Sequence, residues 1–242
     1  MNGGGARGFR QPRCHGCGLT AALCLCAAWP RLPAPFAISV VMPPQEARAA
    51  SNSARLATLW LTDSSCHVRG ETPPRDALDP RGASLLRDAG GRRDAGLRGP
   101  DELLARPCSA LLFPGGAELA PPPTEVRHLI VPDGTWPQAR RLERRWFASA
   151  ALPRVELAAH FPTAYGLRRR ADPDLRSQLC TFEAIAIAIA QLGDPQLARV
   201  LLARFAEWAR RARWLKTGGP PPDAAPEPLP HELLDHPASV YL

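Results

Sequence analysis

Cys14, Cys17, Cys24 and Cys26 form a C-x2-C-x6-C-x-C cluster near the start of the 242-residue chain. A pattern this dense restricts the local fold to a small knuckle, in which two thiolate pairs converge on one Zn2+ with little chain entropy to overcome. Zinc adds no geometric preference of its own from d-electrons. All four ligands come from the protein, so no position stays open for water or substrate; the expected role is structural, not metal-assisted hydrolysis. The alternatives are two disulfides or unrelated thiols. Disulfides need an oxidising compartment, whereas residues 1–12 carry glycines and two arginines without an apolar core or a small-residue cleavage pattern. Cys66, Cys108 and Cys180 are scattered singly, and an odd total of seven suits reduced thiols. His15 lies inside the cluster and ranks below the cysteines, which already complete a site. The expected location is the cytoplasm.

The rest of the chain is long enough for one main domain with small appendages. No apolar run reaches membrane-spanning length. The formal charge of +7 permits a polyanionic partner, but Lys216 is the only lysine among thirty basic residues. Abundant Arg, Ala and Pro point instead to a coding bias, so charge alone decides little. Residues 36–41 form a β-branched apolar run between Pro35 and Pro43 and read as a buried strand. A helical pattern over 45–61 follows, interrupted by Ser51-Asn52-Ser53 as by an internal cap or turn. Residues 69–107, rich in Arg, Gly, Asp and Pro, read as a long surface excursion with at most a short helix near 84–87.

Further strands are expected at 110–113, 128–131 and, more weakly, 154–157. Helices are expected at 137–147, 181–192 and from Pro195 to about Lys216, with Gly193 closing one and Asp194-Pro195 opening the next. This alternation predicts an α/β domain with a mainly parallel sheet flanked by helices. The division is a tail and knuckle over 1–34, a catalytic domain over 35–216 and a proline-rich tail over 217–242.

Val131-Pro132-Asp133-Gly134-Thr135-Trp136-Pro137 sits where a buried strand hands over to a helix, and ligands of open α/β sheets bind beyond such strand ends. Asp133 is placed for chemistry there; its bland alternative is a turn or capping residue. Trp136 either stacks on a base or belongs to the core. Asp133-Gly134-Thr135-Trp136 matches the D-x-T-W motif of the DTW-domain family, and the chain resembles its bacterial tRNA-uridine aminocarboxypropyltransferases. Four other segments agree in order: the cysteine cluster, the stretch from Glu46 to Leu56 resembling E-x-x-R-x-[ST]-N-[ST]-x-R-L, Leu112-Phe113-Pro114, and Tyr165-Gly166-Leu167-Arg168 with the later Ser177, Thr181, Phe182, Glu183 and Ala184. The likeness spans roughly residues 14–215. It departs at Gly115-Gly116, where a more polar continuation is expected, and residues 69–107 match nothing in it.

The resemblance implies a SPOUT-like, knotted fold and transfer of the 3-amino-3-carboxypropyl group of S-adenosylmethionine to N3 of a tRNA uridine, releasing methylthioadenosine. On this reading Asp133 is the base for the N3 proton, helped by Arg55. Leu112, Pro114, Thr135, Trp136 and Thr181 are assigned to the cofactor pocket. Arg48, Ser51, Asn52, Arg140, Arg141 and Arg168 are assigned to RNA, with Arg144, Arg145, Arg169, Arg170 and Arg176 extending a phosphate track beside the site. Ser51 and Asn52 either donate to a ligand or shape a turn. Glu183, in the first turn of its helix, is read as structural. Alternatives are a SPOUT-type RNA methyltransferase, a ribosomal-RNA aminocarboxypropyltransferase, and a non-catalytic zinc-containing RNA-binding factor. No G-x-G-x-x-G loop follows any of the expected strands, so the Rossmann signature is missing. No obligate protein partner is evident, and a monomer is expected.

Overall fold

The computed structural model describes residues 12–69, 101–104, 106–118, 125–148, 152–157 and 179–217. The expected short helix near 84–87, the arginines at 168–170 and 176, and the tail beyond Thr217 lie outside them. The strands are β1 (Ala37–Met42), β2 (Ser64–Val68), β3 (Ser109–Glu118), β4 (His128–Pro132) and β5 (Arg154–Glu156). They form one sheet in the order β2-β1-β4-β3-β5, with every pairing parallel, as the alternation of runs predicts. The helices are α1 (Pro44–Arg48), α2 (Arg55–Trp60), α3 (Asp101–Leu104), α4 (Trp136–Leu142), α5 (Thr181–Gln191) and α6 (Pro195–Thr217). Among the described residues, no helix is long and apolar enough to cross a membrane.

The central strands are mostly apolar, Ser39 and His128 apart, because helices cover both faces. Alternate side chains of β1 divide accordingly: Ile38, Val40 and Met42 join one core with α2, α5 and α6, while Val41 joins a second with Leu103, Leu142 and Phe147. Leu103 is buried, so the 69–107 stretch does not stay on the surface throughout. The helix read over 45–61 is two short helices. Pro44 starts α1, and residues 49–54 cross the end of the sheet before α2 begins. α4 is followed directly by a π-helical turn, Glu143–Phe147, whose buried Glu143 pairs with Arg154 of β5. Gly193 at φ +113° closes α5, and the Asp194 carboxylate accepts the Leu197 N–H at 2.8 Å to cap α6.

The site lies where the strand order reverses. From β1 the chain moves to β2 on one flank, and from β4 it passes β3 to reach β5 on the other, although β1 and β4 are neighbours. Connections leaving in opposite directions open a crevice beyond the carboxyl ends of β1 and β4, the usual position of a ligand site in an open parallel sheet. Residues 43–54 and Asp133 face one another across it.

Candidate functional site

Asp133 follows β4 directly, and its backbone N–H extends the pairing with β1 by donating to the Val41 carbonyl at 2.8 Å. Its side chain is only 5% exposed. Asn52 Nδ2 donates to Oδ2 at 2.6 Å, and the Thr181 hydroxyl at the start of α5 donates to Oδ1. The carboxylate therefore joins three segments distant in sequence. Burial pushes the Asp133 carboxyl up from its ordinary range; hydrogen bonds from Thr181, Asn52 and the Gly134 N–H, and the charge of Arg55, oppose that rise.

The turn-or-cap alternative for Asp133 does not describe this geometry, because α4 is capped by its own residues. Thr135 is the N-cap, and Gln138 Oε1 accepts the Thr135 N–H at 2.6 Å and its hydroxyl at 2.8 Å. Gly134 stands at φ +135°, and a Cβ there would meet Gln138 Oε1 at 2.9 Å, so the turn that delivers Asp133 requires glycine. Asn52 is fixed at its other end, since Oδ1 accepts the Arg55 N–H at 3.2 Å. That bond settles the amide orientation and leaves Nδ2 for Asp133.

Arg55 is close enough for its charge to act on Asp133, but its donors are directed elsewhere. Nη2 bonds the Ala47 and Ala49 carbonyls at 3.2 and 2.6 Å, and Nη1 reaches the His15 carbonyl at 3.5 Å. Glu46, in the first turn of α1, completes the cluster. It is half-buried, and burial together with the Asp133 charge raises its pKa above the ordinary value. The sequence reading gave Glu46 no role. Its place three residues after the proline that ends β1 is the signal that pointed to it.

Beside this cluster a surface groove of about 400 Å³ is lined by Phe113, Pro114, Gly115, Trp136 and Arg140. Trp136 is 43% exposed, which excludes the core alternative. Phe113 packs edge-on to it at 6.2 Å, and the Arg140 guanidinium lies 6.0 Å from the ring centroid. A second cavity of about 730 Å³ continues along α4 past Arg141 and Arg144, which like Arg140 and Arg145 are exposed. Of the five residues assigned to a cofactor, Pro114 and Trp136 line the groove. Leu112 is buried in the sheet, the Thr135 hydroxyl is held by Gln138, and Thr181 is on Asp133. Of those assigned to RNA, Arg48 and Ser51 are exposed, Asn52 is buried, and Arg168 lies outside the described residues. Glu183 is buried and accepts the Cys180 N–H at 2.8 Å, a capping role at α5.

The four N-terminal sulfurs all lie within 4.8 Å of one another, with Cys14–Cys26, Cys14–Cys24 and Cys17–Cys24 separations of 3.4, 3.5 and 3.7 Å. A zinc–sulfur bond of ~2.3 Å implies tetrahedral sulfur edges of about 3.8 Å, so the spacing fits a metal ion of that size. The Cys17 thiol is brought down to about 5, chiefly by the hydrogen bond from Cys26, while burial pushes Cys24 up to about 11. Four thiolates this close together need a cation among them to offset their charge. His15 is exposed and outside the sulfur cluster. The family model for the DTW domain matches residues 11–212. No solved structure matches the chain.

Proposed function

The chain belongs to the DTW-domain family, and from that premise we propose that it transfers the 3-amino-3-carboxypropyl group of S-adenosylmethionine to N3 of a tRNA uridine. The observation that carries this reading is the coincidence, at one topological switch point, of a buried carboxylate cluster and an open groove bearing an aromatic face and a guanidinium. That lining suits a nucleoside with an amino-acid carboxylate: Trp136 and Phe113 offer ring faces, and Arg140 a bidentate anion partner. The donor, bound there, supplies a sulfonium-activated carbon. Selection of its γ-carbon over its methyl rests on how the groove orients it toward the uracil nitrogen.

The chain's own residues then manage charge. Uracil N3 must lose its proton to attack, and the carboxylate cluster anchored by Asp133 handles that proton. Arg55, close but engaged with backbone carbonyls, offsets the negative charge gathered at Asp133 and holds residues 47–49 in place. Arg140, Arg141 and Arg144 run along α4 from the groove and suit a phosphate backbone. The four-cysteine site suits a structural zinc ion, and the all-parallel sheet supports the SPOUT-like, knotted arrangement that the family resemblance implies.

The test is incubation of the purified protein with S-adenosylmethionine and unmodified tRNA, followed by nucleoside mass analysis and identification of the small by-product. The expected result is a uridine gaining the aminocarboxypropyl mass together with methylthioadenosine. One added methyl with S-adenosylhomocysteine would make the protein a methyltransferase. No mass change with tRNA binding intact would favour the RNA-binding role.

A further inference from the structure

We infer that Glu46 is the carboxylate that takes the N3 proton, and that Asp133 is the buried anchor which holds Asn52 and the segment following α1 in place beside it. This rests on the transferase reading above and assigns the proton within it. The two carboxylates are unlike in access. Asp133 is 5% exposed, and both of its oxygens already accept hydrogen bonds, one from Asn52 and one from Thr181. A proton delivered there would have to displace donors that hold α5 and residues 49–54 to the end of β4. Glu46 is half-buried and stands in the first turn of α1, the helix that follows β1 at the same end of the sheet as Asp133.

Asn52 orders the segment between the two: its Oδ1 is fixed on the Arg55 N–H, and its Nδ2 donates to Asp133 at 2.6 Å. Burial raises both carboxyls, and the Asp133 charge adds to the rise at Glu46, so access decides between them: a proton reaches Glu46 without displacing the donors that hold Asp133. In the step itself the N3–H bond breaks and its proton goes to the Glu46 carboxylate. The nitrogen electron pair forms the new N–Cγ bond, and the Cγ–S pair stays on sulfur, leaving a neutral thioether.

The decisive comparison uses full-length Glu46→Gln and Glu46→Asp, checked for fold by circular dichroism and melting. Glu46→Gln is expected to lose about 10²-fold or more in kcat, with donor and tRNA affinities within about twofold of the parent and without the acidic limb of the pH profile. Glu46→Asp, which keeps a carboxylate, recovers part of the rate. tRNA containing 5-fluorouridine, whose N3 is more acidic, rescues Glu46→Gln selectively because it depends less on a base. An active parent with an equally active Glu46→Gln overturns the assignment and leaves the transferase reading standing. Lost binding in Glu46→Gln, or no selective rescue, likewise makes Glu46 a structural group and overturns it. A folded parent that transfers nothing overturns the reading and the assignment together.

Discussion

Asn52 does shape a turn, one of the two alternatives its sequence context left open: Oδ1 holds the turn before α2, while Nδ2 is given to Asp133. Replacing it removes a donor from a carboxylate that cannot turn to water. Asn52→Ala is therefore expected to cost about 1–3 kcal/mol in urea unfolding, the range for leaving a buried polar group short of a partner. Asn52→Asp should cost more, because it sets a new carboxylate against buried Asp133 and removes the donor Asp133 relies on. Equal stability of the Asn, Ala and Asp proteins would deny the bridge. Asp133 and Asn52 were legible in the sequence as residues; the bond between them was not. They are 81 positions apart, and only the pairing of β1 with β4 brings them together. Glu46 escaped because an acidic residue in a first helical turn has an ordinary explanation in the helix dipole.

β2 shows what pattern reading misses at the scale of elements. Ser64-Ser65-Cys66-His67-Val68 has neither an apolar run nor clean alternation, and it forms an edge strand because β1 offers it a partner. β3 exceeds its expected length for a related reason: the Phe113–Gly116 bulge carries the strand past a proline, and pairing with β5 resumes at Ala117. β2 also contributes to a buried polar row. Ser109 Oγ donates to the Arg106 carbonyl at 2.8 Å, so it must accept from His128 Nδ1; His128 Nε2 then accepts from Ser39, Ser39 from Ser65, and Ser65 from His67. His128 must be neutral for this order to hold, because its Nε2 accepts; His67 donates from Nε2 whether neutral or protonated. Burial, with Arg106 nearby, holds each at about 4. The unfolded chain takes up these protons near pH 6.5 and the folded one only near 4, so stability is complete above 6.5 and falls as pH drops through that window. For buried His128 the loss is on the order of 3 kcal/mol. Urea midpoints measured across the window should show it, and His128→Gln should flatten the slope. On the outer face of α4, Arg141 and Arg144 present charge without such constraints. Replacing both by Gln should weaken tRNA binding uniformly across sequences and reduce the salt slope by about 1–2.

For the molecule as a whole, the cysteine knuckle is part of the main core. Cys17, Leu19, Leu23 and Leu25 pack in the same cluster as α2, α5 and α6. An aromatic series runs from Trp29 through Trp60, Phe182 and Phe205 to Trp208, whose indole N–H donates to the Cys17 carbonyl at 2.7 Å. Arg211, 1% exposed and paired with Glu207 at 2.6 Å, reaches the Leu23 carbonyl at 3.3 Å. The knuckle also meets the site: a Cβ on Gly18 would stand 2.5 Å from the Ala50 carbonyl, and Arg55 ties His15 to Ala47 and Ala49. A metal ion that fixes the four sulfurs therefore fixes the segment leading into Asn52. Removing it with a chelator leaves the four sulfurs unheld and loosens a corner that holds four core side chains. If that corner contributes about 3 kcal/mol, comparable to one large core truncation, Tm should fall by roughly 6–12 °C in a chain of this size. Zinc released on mild thiol modification should approach one ion per chain, and Cys17→Ser should reproduce the fall without chelator. An unchanged Tm after complete metal removal would mean that packing from α6 alone holds the knuckle. In that case the route from the sulfurs through Arg55 to Asn52 would carry no energy.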